Sequence, residues 1–391
     1  LHYVKLAVIL YAYGRSPISG KRDVRRVATR ALLWAGGAAI FVLLCCGEAL
    51  GPLPNSWHKK AEFEVTAAGF TVEDLAVTAG GVYAAISRHG PPVGLAIVVY
   101  RGGRFEDDWI LPNAGICGRF RGIAGIGSTL WAAGTRTEGE VEPRYLPVLL
   151  RHAGAGWQEV DLGSSTSFGG IGRVYPISKN ACWLLTGEED PGPWYGALAL
   201  YDNGSLRTFP QFRDVTAAYD AATDTLYVIP DREGSATVEV AITRDRGASW
   251  VYEKTVPESF PGADPDRTAI LPPIIYRDEL IFALSPAEFR GGTWTSIYRR
   301  TGAPGAGVYE MVFFSNLGEY FRAIDDMAVD NSPRLVAVGI DTCLLYDGAE
   351  WRMETLPYKR TSFNALAAGD VGFYATARNE TTEKIELLYH P

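Results

Sequence analysis

The chain has 391 residues, with 37 Lys and Arg against 45 Asp and Glu, 43 Gly, 23 Pro and 12% aromatic residues. That composition favours many short strands joined by tight turns over long periodic helices, and the length suits two or three average domains or one large β architecture. Five His, none paired at metal-ligand spacing, argue against a His-based zinc site, so neither a metal nor a cofactor is expected.

The chain opens with a targeting pattern. Residues 21–30 (KRDVRRVATR) are basic, residues 31–46 (ALLWAGGAAIFVLLCC) are uncharged and apolar, and GEALGPLPNS then breaks the run. Basic, apolar and small-residue regions in that order form an export signal. The 16-residue apolar run is shorter than the ~20 residues a spanning helix needs. Cleavage after Ala49, retention as a membrane anchor and lipidation all stay open. The lipidation candidate is Cys46, because LLCCGE resembles a bacterial lipobox. It departs from one in having Cys or Leu before the acylated residue, where such signals carry Gly, Ala or Ser.

Residues 1–49 are therefore read as an export signal or membrane anchor with an over-extended start, and residues 50–391 as the folded domain. Seven of the 37 basic and two of the 45 acidic residues lie in 1–49, so the remainder carries 30 and 43, a net charge of −13. A surface that acidic repels phosphate backbones, and no nucleic-acid partner is expected. The localisation that follows is periplasmic or cell-surface, with membrane association where the N-terminal segment is retained or lipidated. Three Cys remain, and Cys182 and Cys343 sit within apolar strand-like runs as small hydrophobes.

From residue 70 onward one unit recurs: an apolar strand, a tight turn, then a second strand rich in small residues. The second strands begin at Val82, Leu130, Cys182, Leu226, Leu280, Leu335 and Gly372, 37 to 55 residues apart. Seven copies at that spacing predict an all-β, seven-bladed propeller of four-stranded antiparallel blades. Third strands often end in Tyr, at Tyr100, Tyr201, Tyr298, Tyr346 and Tyr389. Fourth strands begin at Phe105, Trp157, Leu206, Trp250, Val308 and Trp351. The seventh unit stops at Pro391 without a fourth strand. A Trp-led segment from Asn55 to Val65 precedes the first unit, so the N-terminal strand is expected to complete the last blade and close the ring.

Between the third and fourth strands of unit four lies TRDRGASW, Thr243 to Trp250. It fits the pattern Ser/Thr-x-Asp-x-Gly-x-Thr/Ser-Trp at every defined position, and so resembles the Asp box (the BNR repeat) of sialidases and related propellers. Locally, Asp245 should accept backbone N–H groups, Gly247 should take positive φ, and Trp250 should pack between blades. In that family the box lies away from the active face, so the resemblance marks fold rather than chemistry. YDNGSL, YDGAEW and RHAGAGW are similar to decayed versions, with Asp202 and Asp347 near the matching place.

The loops between second and third strands carry arginines, carboxylates and aromatics. The candidate ligand-binding residues there are Arg88, Arg136, Trp194, Arg232, Arg290 and Trp294. Together they could hold a glycan or an anionic ligand, or be an ordinary solvated face. A sialidase would need three clamping arginines, a Tyr–Glu nucleophile pair and an Asp acid/base. The FRAI segment at Phe321 is only a partial echo of that family's first motif, and no catalytic residue is assigned. Two functional expectations result. One is a non-enzymatic scaffold, assembly factor or accessory subunit with a protein partner in the cell envelope, as the resemblance to photosystem-assembly-factor propellers implies. The alternative is a sialidase-like hydrolase, polysaccharide lyase or glycan-binding propeller.

Overall fold

The computed structural model describes residues 57–63, 69–88, 94–112, 118–138, 144–154, 156–163, 168–187, 197–230, 237–255, 268–286, 294–316, 324–339, 342–354, 356, 361–379 and 384–391. These residues form strands and turns. The first strand, β1 (His58–Glu62), stands apart in sequence from the blade it joins. Blade 1 is β2 (Phe70–Thr78), β3 (Gly81–Arg88), β4 (Gly94–Arg101) and β5 (Arg104–Pro112). Blade 2 is β6 (Arg119–Ile126), β7 (Thr129–Glu138), β8 (Arg144–His152) and β9 (Trp157–Glu159). Blade 3 is β10 (Gly170–Ser178), β11 (Ala181–Gly187), β12 (Ala197–Asp202) and β13 (Ser205–Phe209). Blade 4 is β14 (Val215–Asp220), β15 (Thr225–Pro230), β16 (Val238–Thr243) and β17 (Val251–Thr255).

Blade 5 has a split first strand, β18 (Thr268–Ile270) and β19 (Ile274–Tyr276), followed by β20 (Glu279–Pro286), β21 (Trp294–Thr301) and β22 (Val308–Asn316). The split falls at Pro272 and Pro273, which have no N–H to give to a ladder. Blade 6 is β23 (Ile324–Val329), β24 (Leu335–Gly339), β25 (Thr342–Tyr346) and β26 (Trp351–Met353). Blade 7 is β27 (Thr361–Ala368), β28 (Phe373–Asn379) and β29 (Lys384–His390), and β1 is its fourth strand. β1 pairs antiparallel with β29, His58 opposite Tyr389 and Glu62 opposite Glu386, as the truncated seventh unit led us to expect.

Every second strand is buried on both faces, and its alternate residues serve two different cores. In β3, Val82, Ala84 and Ile86 face blade 7, whereas Tyr83 and Ala85 face blade 2. The same arrangement gives seven apolar clusters, one at each blade boundary. The first strands of neighbouring blades approach one another all round, from β2 through β6, β10, β14, β19, β23 and β27 back to β2, except that β14 meets blade 3 chiefly through β11. The ring is closed, with the first strands at its axis and the fourth strands at its rim.

Aromatic side chains at the start of fourth strands bind four of the blades to the one before. Phe105 stacks on Phe63 of the closing strand's end, with centroids 4.0 Å apart, and Trp157 meets Tyr83 of blade 1 edge-on. Trp250 packs on Phe209 and Phe212 after blade 3, and Trp351 on Phe313 of blade 5. Cys182 and Cys343 are buried free thiols, as their apolar context implied. Burial pushes the Cys343 thiol up to about 12, so it stays protonated.

Candidate functional site

A propeller offers an axis, two faces and a rim. The axis is built from the first strands, and five of the seven share one irregularity. Each carries an extra residue near its start: in β2 between Val72 and Asp74, in β6 between Phe120 and Gly122, in β10 between Ile171 and Arg173, in β23 between Ile324 and Asp326, and in β27 between Phe363 and Ala365. A bulge leaves a backbone N–H without a ladder partner and re-aims the side chains beside it. Two aspartates use this. Asp74 accepts Leu75 N–H of its own strand at 2.8 Å and Ile123 N–H of blade 2 at 2.9 Å. Asp326 accepts Met327 N–H at 2.9 Å and Leu366 N–H of blade 7 at 3.1 Å. The two carboxylates do one job at equivalent positions of two blades: each ties the bulged first strand to the next.

Arg173, at the matching place in blade 3, is their counter-charge. Burial pushes the Asp74 carboxyl up, the negative charge of Asp326 adds to that, and Arg173 opposes both. Asp326 is raised by the same burial and likewise held back by Arg173. For Arg173 itself, burial disfavours the charge, but Tyr175, Asp326 and Asp74 outweigh it and its pKa rises. Tyr175 carries the network into blade 4 by donating its hydroxyl to the Ala217 carbonyl at 2.6 Å. On the blade 1–2 side, Arg119 donates to Glu73 at 2.7 Å. Its neighbour Arg121 is pushed down to about 9, first by burial and then by the positive charge of Arg119, and remains a cation at neutral pH. The charged axis therefore holds blades together.

A second buried pair lies between blades 4 and 5. Arg300 grips Glu253 in bidentate fashion, at 2.7 and 2.6 Å, and both side chains are almost fully buried. The remaining guanidinium donors reach the Gly302 and Ala303 carbonyls, and Glu253 also accepts Gly305 N–H and the Tyr309 hydroxyl. Burial alone would raise the Glu253 carboxyl, but these donors outweigh it and hold it below the usual carboxylate range.

The unit-four turn has the local chemistry its sequence predicts. Asp245 accepts Ser249 N–H at 2.9 Å and the Ser249 and Thr243 hydroxyls, while Gly247 donates its N–H to Thr243 Oγ1 and sits at φ +78°. Those bonds, led by Ser249, draw the Asp245 carboxyl down to about 2. In YDGAEW the sibling Asp347 likewise accepts the N–H groups of Ala349 and Glu350.

The candidate loop-face residues have different outcomes. Arg88 ends β3 and lies 3.6 Å from Asp107 on the rim strand β5. Arg136, near the end of β7, pairs at 2.9 Å with Glu159 on the rim strand β9. Trp294 opens β21, its backbone opposite Asn316. Trp194, Arg232 and Arg290 lie outside the described residues, as does Cys46. Among the described residues no group of three His, Cys, Asp or Glu is placed to hold a metal ion, and no helix is long and apolar enough to cross a membrane.

No family profile matches the chain, and no curated protein matches it. Solved structures do. The Myceliophteria thermophila Cps50 (Swd1) β-propeller domain is similar at 10% identity and a TM-score of 0.54, over 85% of this chain and 99% of that one. Kuenenia stuttgartiensis hydrazine synthase is similar at 11% identity and 0.55, over 84% and 97%. A prolyl endopeptidase is similar at 12% and 0.51, over 82% of this chain but 46% of its own. The chain is a seven-bladed β-propeller. At such low identity the likeness shows that fold and nothing of the chemistry.

The axial aspartates went unread in the sequence although a signal was there. EDLAV (73–77) and DDMAV (325–329) repeat an Asp directly before a matching apolar run, Leu-Ala-Val in unit one and Met-Ala-Val in unit six. Arg173 and Arg300 had no such signal, since a lone Arg beside a strand of mixed residues looks like surface.

Proposed function

We propose that this chain is an exported, non-enzymatic propeller of the Asp-box type that binds a protein partner, as an assembly factor or accessory subunit of the cell envelope. One observation carries the binding role. Among the described residues the exposed large apolar side chains are Ile110, Val251, Tyr252, Val308, Phe314, Met353 and Val371. Five of these seven lie on the rim strands of three successive blades: Val251 and Tyr252 on β17, Val308 and Phe314 on β22, and Met353 on β26. Val251 adjoins the Gly305 turn of blade 5, which joins the β17 and β22 residues across the blade boundary.

Rim strands also present unpaired backbone N–H and C=O groups. β5, of the same nine-residue length as β22, carries Arg104, Glu106, Asp107 and Asp108 along that edge, whereas β22 carries only Glu310. Apolar surface concentrated on one side of a rigid disc suits a protein interface better than a small-molecule site. The basic, apolar and small-residue order of residues 21–49 supports export, and the complete Thr243–Trp250 pattern supports the family.

The test is affinity capture of the tagged full-length protein from gently solubilised membranes, beside a variant with Val308→Lys and Phe314→Lys. We expect a stoichiometric partner that survives moderate salt and is lost from the variant. A monomer with no partner that cleaves or retains glycans in a screen would overturn the reading and favour the carbohydrate-active alternative.

A further inference from the structure

We infer that closure of the ring is a pH-sensitive latch with His390 as its sensor: protonation of this imidazole loosens β1 from blade 7 while the other six blades stay folded. The inference rests on where the closing strand meets the last strand of blade 7. His390 is the last residue of β29 and is buried. Its ring stands edge-on to Trp57, the buried residue that leads into β1, with centroids 5.1 Å apart, and Phe373 of β28 closes the other side at 6.2 Å. Trp57 also packs on Phe363 and belongs to the apolar cluster between blades 6 and 7. A charge on His390 would thus arise inside the aromatic contact that anchors the closing strand.

The groups facing His390 come from every element packed there. Blade 6 supplies Glu354, whose carboxylate lies 3.7 Å from Nε2, too far for a hydrogen bond. The turn after β23 supplies Arg334, which is itself engaged with Asp330 and with the Pro391 carbonyl. Nδ1 lies 3.2 Å from that same carbonyl, and Nε2 has no hydrogen-bond partner. Trp57, just before β1, and Phe373 of β28 meet the ring with their own rings, and β1 brings the exposed His58 opposite Tyr389. Along the closing strand, Lys59 pairs with the buried Glu386 at 2.7 Å and with Glu62 at 3.0 Å, and Lys384 also holds Glu62. The hydrogen bonds from Lys384 and Lys59 hold the Glu62 carboxyl below its ordinary value.

The sign follows from these neighbours. Burial, aided by Arg334, holds the imidazole below its ordinary value against the pull of Glu354 and Pro391. With β1 detached, the ring returns toward about 6.5. The open state then binds the proton more readily than the closed one, so the latch is full above about pH 6.5 and weakens as the pH falls below it.

Hydrogen–deuterium exchange of the full chain at pH 7.5 and 5.5, corrected for the intrinsic pH dependence, tests this. We expect opening of residues 57–63 to rise several-fold at pH 5.5 while β9, β13 and β17 are unchanged. His390→Gln should remove the step. Glu354→Gln should enlarge it, because the carboxylate that eases protonation is gone. An undiminished step in His390→Gln, or an equal step in every rim strand, would overturn the inference. So would an NMR titration of the wild-type protein placing His390 at or above 6.5, a measurement that does not depend on the variants folding.

Discussion

Arg300 and Glu253 show how a single pair fixes one blade boundary. Their charges are out of water, so each depends on the other and on the surrounding hydrogen bonds. Removing one partner of such a pair costs about 3–5 kcal/mol, since the remaining charge is stranded. We expect Glu253→Gln to lower stability by about 3 kcal/mol in urea denaturation, and Arg300→Met to cost a similar amount. A double variant costing no more than either single would confirm the coupling, and simple additivity would refute it.

Arg173 makes a different prediction because its partners can take up protons. Asp74 and Asp326 are raised in the folded protein, first by burial, so the folded state holds protons that the unfolded state releases. Their contribution to stability is therefore fully present below about pH 4, the ordinary carboxylate value, and is lost as the pH rises through the folded value. Removing Arg173 raises both carboxyls further. Arg173→Met should cost little near pH 5 and about 3 kcal/mol near pH 8. Denaturation midpoints at the two pH values decide it; an equal loss at both would mean that Arg173 acts through packing alone.

At the scale of elements, glycine positions separate the close approaches from the permissive ones. A Cβ at Gly134 in β7 would lie 2.4 Å from the Arg119 carbonyl oxygen and 2.8 Å from Phe120 Cα, both backbone atoms of β6. A Cβ at Gly187, the last residue of β11, would meet nothing within 4 Å. Gly134→Ala should give a misfolded or strongly destabilised protein, and Gly187→Ala a melting temperature within a degree or two of wild type. Thermal unfolding of the two side by side checks the register assigned to β6 and β7.

The elements were also the most legible part of the sequence. Second strands stand out because burial on both faces gives each an apolar stretch, and tight turns because Gly, Asn and Asp mark positive φ, as at Asn203 and Gly204. Closure by β1 was legible from the missing strand after Tyr389 and the leading Trp57. The bulges were not, because an extra residue in one strand changes neither composition nor period over so short a span. The axial network follows from the bulges, and so was hidden with them. The loop-face candidates were chosen by residue type, and type does not reveal that Arg136 turns outward to Glu159 on the rim.

At the scale of the molecule, seven apolar boundaries, a charged axis and an aromatic closure make one rigid disc. The buried charges at its axis and between its blades serve to hold it together. What it offers outward, among the described residues, is the apolar rim of blades 4 to 6. A partner that docks there needs no motion in the propeller, so binding should leave the axis unchanged.

The most direct test of this reading is a photo-crosslinker placed at Tyr252 or Phe314 in the full-length protein, with a second placed at Ile110 on the opposite side of the rim, activated in native membranes. We expect one defined protein adduct from the first two positions and none from Ile110. Adducts from Ile110 alone, or equal and diffuse labelling from all three, would contradict a docking surface on blades 4 to 6.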